Sequence, residues 1–166
     1  MKSKLVIVES PSKSKTIEQY LGPDYQVLSS KGQLRDLAIS GVGGLGLDVE
    51  ENFTPRYDVI KEKKKVVSEL VNAAKKSKEI YLATDPDREG EAISWHLSEV
   101  LDTKNKPMKR VVFNEITKTA VLEAFEHPRD IDLDLVSSQE TRRILDRIIG
   151  FKLSKLLQNK IKSKSA

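Results

Sequence analysis

Ile80-Tyr81-Leu82-Ala83-Thr84-Asp85-Pro86-Asp87-Arg88-Glu89-Gly90-Glu91 decides the fold. The apolar run Ile80–Ala83 reads as a strand, and three carboxylates at alternate positions, Asp85, Asp87 and Glu89, follow it directly. Gly90 and a helix-like segment come next. A strand that ends in an acidic turn is where an α/β sheet places its chemistry. Crowded carboxylates repel one another unless a proton or a hard cation lies between them. Mg²⁺ is the usual cation, held by one or two carboxylates together with waters and phosphate oxygens.

Composition narrows the classes around that turn. The chain has 166 residues, long enough for one good core and part of a second unit. One third of the residues are charged and 38% are hydrophobic, the balance of a soluble globular protein. No apolar run approaches the roughly 20 residues of a membrane span. The opening Met1-Lys2-Ser3-Lys4 is basic, but Glu9 cuts short the apolar run after it, so no signal peptide is expected. With no cysteine, disulfides, thiol chemistry and Cys-bound zinc are excluded, and a cytosolic setting is expected. Two histidines, His96 and His127, are too few for a His-rich metal site. The net charge of +4 is unevenly spread. Residues 135–166 hold eight Lys/Arg against two Asp/Glu, a balance of +6, and the remainder sums to −2. A basic helix beside an acidic site points to nucleic acid, although a solvated helix face has the same composition.

Strands are predicted at Lys4–Val8, Tyr25–Ser29, Glu79–Ala83 and Lys109–Phe113. Helices are predicted at Ser12–Leu21, Lys61–Lys76, Glu89–Leu101 and Thr117–Glu126. Residues 132–157 read as one long helical region with a break near Gly150, and residues 160–166 as a flexible end. Periodicity fails from Gly32 to Asp58, so a long irregular loop is expected there. Its Gly41–Gly46 cluster has no leading strand and no Gly-Lys-Ser/Thr ending, so it is not a phosphate loop. Strands alternating with helices predict a mostly parallel sheet with helices on both faces.

Strand ends in a parallel sheet share one edge, which places Glu9 beside Asp85–Glu89. Alone, Glu9 would be an ordinary strand-end carboxylate. Ser10, Ser12, Lys13 and Lys15 at the following helix start strengthen it, since helix amides, hydroxyls and a lysine bind phosphate well. The acidic spacing also resembles the start of a calcium loop. No Glu occupies the twelfth position and a strand precedes it, so calcium is disfavoured. Farther along, Arg143 and Arg147 share a helix face, and Asp146 can pair with Arg142. Ile144, Leu145, Ile148 and Ile149 form the opposing stripe, expected to be core. Arginines on one face suit either a salt-bridged surface or a groove that tracks a nucleic-acid backbone. Trp95 is expected in the core, with His96 a buried polar residue.

Taken in order, these stretches resemble bacterial DNA topoisomerase I, of type IA. Val6–Ile17 looks like that family's opening, and Ala83–Ile93 like its TOPRIM acidic motif. Phe113-Asn114-Glu115-Ile116-Thr117 is similar to its next motif. Gln139, Arg142-Arg143, Asp146-Arg147 and Gly150-Phe151 resemble the start of its helical DNA-binding domain. The Ser10-Pro11-Ser12-Lys13-Ser14-Lys15 opening resembles topoisomerase I more than topoisomerase III.

The resemblance implies an α/β, Rossmann-like TOPRIM domain over residues 1–131, then the truncated start of a helical single-strand-binding domain over residues 132–166. It implies Glu9 and Lys13 as catalytic residues, with Lys13 neutralising the phosphate. Glu9, Asp85, Asp87 and Glu89 are implied as Mg²⁺ ligands, Asp85 first among them. Gln33, Arg88, Arg142, Arg143, Asp146, Arg147, Phe151, Gln158, Ser163 and Lys164 are implied as DNA contacts. The partner would be single-stranded or underwound DNA. The protein would be a cytoplasmic, nucleoid-associated monomer with no membrane attachment and no nucleotide cofactor. The activity implied for the whole enzyme is ATP-independent relaxation of negatively supercoiled DNA. Two departures stand out. Gln33 replaces the family's usual histidine in Gly32-Gln33-Leu34-Arg35-Asp36-Leu37, so that position carries no charge. Tyr20, Tyr25, Tyr57 and Tyr81 lie outside the nucleophile's motif, so the chain reads as a fragment that does not itself cleave DNA. A TOPRIM nuclease or primase, or a non-catalytic single-strand-binding module, are the alternatives.

Overall fold

The computed structural model describes residues 3–38, 47–48, 54–101 and 106–164. Four strands form one parallel sheet: β1 (Lys4–Val8), β2 (Tyr25–Ser29), β7 (Glu79–Leu82) and β8 (Met108–Arg110), in the order β2-β1-β7-β8. The chain leaves β1 toward β2 on one side and returns to β7 on the other. That reversal creates a crevice between the carboxyl ends of β1 and β7. The register pairs Val6 with Tyr81 and Ile7 with Leu82, so Glu9 and the acidic turn emerge side by side.

Alternate strand residues face opposite layers, and two cores result. Leu5, Ile7, Ile80 and Leu82 pack with Val66, Leu70, Ala73 and Ala74 of α2 (Lys64–Lys76) and with Ile93, Leu97 and Leu101 of α3 (Arg88–Leu101). Val6, Val8, Val27 and Ala83 pack with Ile17 of α1 (Pro11–Leu21) and Val121 of α4 (Lys118–Glu126). Each fully buried Leu or Ile here contributes on the order of 2 kcal/mol. The apolar residues of α2 recur at helical spacing, which places them on one stripe facing the sheet. Its predicted first turn, Lys61–Lys63, is a separate 3-10 turn. Local signals set several helix ends. Gly22, at φ +95°, stops α1 before Pro23, and the Thr117 hydroxyl accepts the Ala120 amide at the start of α4.

The predicted irregular loop is partly ordered. Within Gly32–Asp58, β3 (Arg35–Leu37) pairs antiparallel with β6 (Tyr57–Val59), and β4 (Leu47–Asp48) with β5 (Thr54–Pro55). Runs of two and three residues are too short to produce a readable alternation. Gly41–Gly46 lies outside the described residues. The last sheet strand begins and ends earlier than predicted, at Met108–Arg110, although the Val111 amide still bonds to the Leu82 carbonyl.

The C-terminal helix departs most from expectation. α5 (Leu133–Lys164) runs unbroken through Gly150 and continues into the predicted flexible end. The cost of one interior glycine, about 1 kcal/mol, is too small to interrupt so long a helix. The Asp132 carboxylate accepts from the amides of Asp134 and Leu135 at its start. The stripe expected in the core is not buried. Leu145 and Ile149 are 53% and 55% exposed, while Ile144 and Ile148 are half-buried. No ion pair joins Arg142 to Asp146. The register of α5 turns a different face inward, with Val136 and Glu140 buried toward α3.

That inner face carries a polar network. Tyr57 donates to Glu140 at 2.8 Å, and His96 lies 3.1 Å from the other Glu140 oxygen. Arg35 donates to His96 Nδ1 at 3.0 Å, which assigns the His96 proton to Nε2 and makes His96 the donor to Glu140. Burial pushes the His96 pKa down, and it outweighs the opposing influence of Glu140. Trp95, half-buried and edge-on to Tyr57, roofs this network beneath the Arg35 guanidinium. Replacing Glu140 by Leu would strand His96, Tyr57 and Arg143 without their acceptor. The expected loss is about 3 kcal/mol in urea unfolding, with Glu140→Gln less costly because one acceptor oxygen remains.

Candidate active site

The site begins with the ends of β1 and β7. Glu9 follows Val8, and its Oε1 accepts the Asp85 amide at 2.8 Å. Burial pushes the Glu9 carboxyl above its ordinary range. The Asp85 amide opposes this, while the negative charges of Asp85, Asp87 and Glu89 add to it. Glu9 is thereby biased toward its protonated form. Lys13, one turn into α1, reaches across the crevice to Asp85 Oδ1 at 3.0 Å. Both side chains are about one third exposed, so this pair is open to exchange with an incoming anion. The start of α1 adds the Ser10 and Ser12 hydroxyls, which lie 2.7 Å apart.

The three carboxylates of the turn differ in role. Asp87 immediately precedes α3, and its Oδ1 accepts the Gly90 amide at 2.6 Å, which caps that helix. Asp85 is half-buried beside Glu9 and Lys13, and Glu89 is exposed on the first turn of α3. Both charges near the helix N-terminus gain from its partial positive charge. Gly90 is required by a close approach. A Cβ there would sit 2.0 Å from the Asp85 carbonyl oxygen, far inside contact distance. The Thr84 hydroxyl lies 2.6 Å from both the Gly90 carbonyl and the Ser94 hydroxyl, which fastens the turn to α3.

The donor set fits Mg²⁺. All candidate ligands are hard carboxylate oxygens, and Glu9 is flanked by three further negative charges. No three such side chains converge into a ready-made cage among the described residues. Mg²⁺ does not require one, because it keeps waters and takes one or two carboxylates with phosphate oxygens. A pocket of about 200 Å³ lies against the turn, lined in part by Lys13, Asp85, Phe113, Asn114 and Ile116.

The expected DNA contacts are spread more widely. Arg142, Asp146, Phe151 and Gln158 are exposed on α5, and the Lys155 ammonium lies 5.3 Å from the Phe151 ring centre. Arg88 donates to Ser138 of α5. Gln33 donates to the Arg35 carbonyl. Arg143 and Arg147 turn toward the body of the protein: both lie within 4 Å of the Asp36 carboxylate, and Arg147 also donates to the carbonyls of Leu37 and Ala38. Ser163 and Lys164 lie on α5, with their side chains outside the described positions.

Sequence reasoning missed the support beneath the turn. Arg110 is fully buried, and its guanidinium donates to the carbonyls of Leu82, Thr84, Asp85 and Val111 and to Glu91. Glu91, 1% exposed, also accepts from Arg129 and from the Asp132 amide. Burial disfavours the Glu91 charge, but Arg129, the Asp132 amide and Arg110 together outweigh it and hold its pKa down to about 2. The available signal was Arg110 itself, a charge next to the apolar run Val111-Val112-Phe113.

A family model described as the Toprim domain matches residues 4–116. Among solved structures, the chain is similar to full-length topoisomerase I from Thermotoga maritima, with 47% sequence identity and a TM-score of 0.81. That match covers 92% of this chain and 26% of the other, so the chain spans about a quarter of that protein's length. The Rossmann-like α/β fold and the likeness to bacterial topoisomerase I expected from the sequence are both borne out. No helix among the described residues is long and apolar enough to cross a membrane.

Gly90→Ala should push the Asp85 peptide out of place, lowering the melting temperature and abolishing any Mg²⁺-induced rise in it. Glu91 gives a pH signature. Its folded pKa lies below the ordinary 4.5, so its stabilisation is complete above pH 4.5 and is lost as pH falls through about 2. Urea midpoints measured across that window should fall steeply for the wild type. Glu91→Gln should be less stable at neutral pH and show a flatter profile.

Proposed function

Because the chain belongs to the Toprim family, we propose that it is the metal-binding and strand-binding portion of a type IA DNA topoisomerase. In this reading residues 1–131 form the Toprim domain, and α5 opens a helical domain that binds single-stranded or underwound DNA. The parent enzyme, a cytoplasmic isomerase, relaxes negatively supercoiled DNA without a nucleotide cofactor. The observation that carries the reading is the meeting of Glu9 with Asp85 and Lys13 at one sheet edge.

A tyrosine from outside this chain attacks a phosphodiester of one strand and becomes linked to the 5′-phosphate, and the 3′-oxygen leaves. That oxygen needs a proton on cleavage and must lose it again on rejoining. Glu9, biased toward its protonated form, is suited to carry that proton in both directions. Lys13 exchanges Asp85 for a phosphate oxygen as the strand enters. Asp85, with Glu9, Asp87 and Glu89 around it, would hold Mg²⁺, which when bound neutralises charge on the phosphate and aligns it. Two of the chain's own tyrosines are engaged elsewhere. Tyr57 is bonded to Glu140, and Tyr81 is bonded to Glu79 with its pKa pushed up to about 12. Tyr20 and Tyr25 pack against the core on the α1 and α4 face of the sheet. On α5, the exposed Arg142 and Phe151 would meet the strand, whereas Arg143 and Arg147 hold the helix to β3.

The chain incubated with supercoiled plasmid and Mg²⁺ should leave the topology unchanged, and relaxation by the pure chain would overturn the assignment of the nucleophile elsewhere. Asp85→Asn with Asp87→Asn should abolish the Mg²⁺-dependent rise in melting temperature. An unchanged rise would mean that the carboxylates are structural and would favour a non-catalytic strand-binding module. Direct hydrolysis or primer synthesis would favour a nuclease or primase.

A further inference from the structure

We propose that Arg110 is a positioning residue for the metal site, acting through the backbone of the acidic turn. This rests on the metal-site reading of Glu9 and Asp85. β7 ends at Leu82, so the carbonyls of Thr84 and Asp85 lie beyond the strand. Arg110 donates to both. Its Nη1 donates to the carbonyls of Leu82, Thr84 and Val111 at 3.1, 2.7 and 3.2 Å, and its Nη2 donates to the Asp85 carbonyl at 2.6 Å. The Asp85 main chain is thus held on three sides, with Arg110 at its carbonyl, Glu9 at its amide and the bare Cα of Gly90 against it.

Every one of these bonds is to main chain. The turn is fixed while the Asp85 carboxylate stays available to a cation. A positive charge so close would weaken cation binding if it were uncompensated. Glu91 compensates it, with its Oε1 3.1 Å from Arg110 Nε, and Arg129 and the Asp132 amide complete the Glu91 shell. The planar guanidinium serves carbonyls on several sides at once, which the single ammonium of lysine cannot.

The test is Mg²⁺ binding to the whole chain, read as the Mg²⁺ concentration that half-saturates the rise in melting temperature. Arg110→Lys should raise that concentration about tenfold or more, the usual effect of losing a partner that orients metal ligands. Leu70→Ala, a cavity variant on α2 away from the turn, should lower the melting temperature and leave the half-saturating concentration at the wild-type value. A folded Arg110→Lys chain with wild-type Mg²⁺ binding would overturn the proposal. So would a shift of equal size in Leu70→Ala. Should Arg110→Lys not fold, ¹⁵N NMR of the wild type decides. The Arg110 Nε–H signal should move with Mg²⁺ at the same half-saturation as the Asp85 amide, and a signal that stays still would refute the proposal. Asp85→Asn separates the two levels. If it binds Mg²⁺ as the wild type does, the metal-site reading itself fails. If it loses Mg²⁺ while Arg110→Lys keeps it, only the role of Arg110 fails.

Discussion

A guanidinium shut away from water must find all its hydrogen bonds inside the protein, and Arg110 finds them where the fold has carbonyls left over. Taking such a charge out of water costs several kcal/mol, and removing one partner of a buried pair costs about 3 to 5. The compensation is local: carbonyls at and beyond the end of β7 and the buried carboxylate of Glu91. The acidic turn, the start of α3 and the entry to α5 are consequently tied to one group. Glu91 bonds the Asp132 amide just before α5 begins, so the turn and the long helix share an anchor.

A second polar network does for α5 what Arg110 does for the turn. Glu140 gathers Tyr57 and His96, with Arg143 alongside, and Arg35 reaches Glu140 through His96. These groups come from β3, β6, α3 and α5, so one network joins α5 both to α3 and to the β3–β6 pair. Arg143 and Arg147 belong to this attachment through Asp36, and Arg142, one residue away, faces solvent. Leu145, Ile149, Leu153, Leu156 and Leu157 are left exposed on the same helix.

Much of the layered sheet was legible along the chain. β1 and β2 lie at their predicted limits, α2, α3, α4 and β7 close to theirs, because alternation and helical stripes are local patterns. The likeness of the acidic turn to one family was legible for the same reason, since Thr84–Glu91 is contiguous. The pairs β3–β6 and β4–β5 were not, because strands of two or three residues depend on a partner elsewhere in the chain, 6 to 24 positions away, and not on their own pattern. The exposed stripe on α5 was misplaced because a periodic apolar face says that a helix has a face, not which neighbour covers it. Arg143 and Arg147 could be put on one side of a helix, but whether that side meets a phosphate or Asp36 depends on packing.

The sequence by itself determined the four strands of the main sheet, the helices that flank it, the parallel arrangement and the set of groups at the strand ends: Glu9, Lys13, Asp85, Asp87 and Glu89. These follow from residue type and spacing, which act over a few positions. Only the tertiary structure decided how those groups differ. It made Asp87 a helix cap, left Asp85 beside Glu9 and Lys13, raised the Glu9 pKa and put Arg110 underneath. Each of these outcomes depends on desolvation and on contacts between residues up to 76 positions apart, and such energies exist only once the chain has closed on itself.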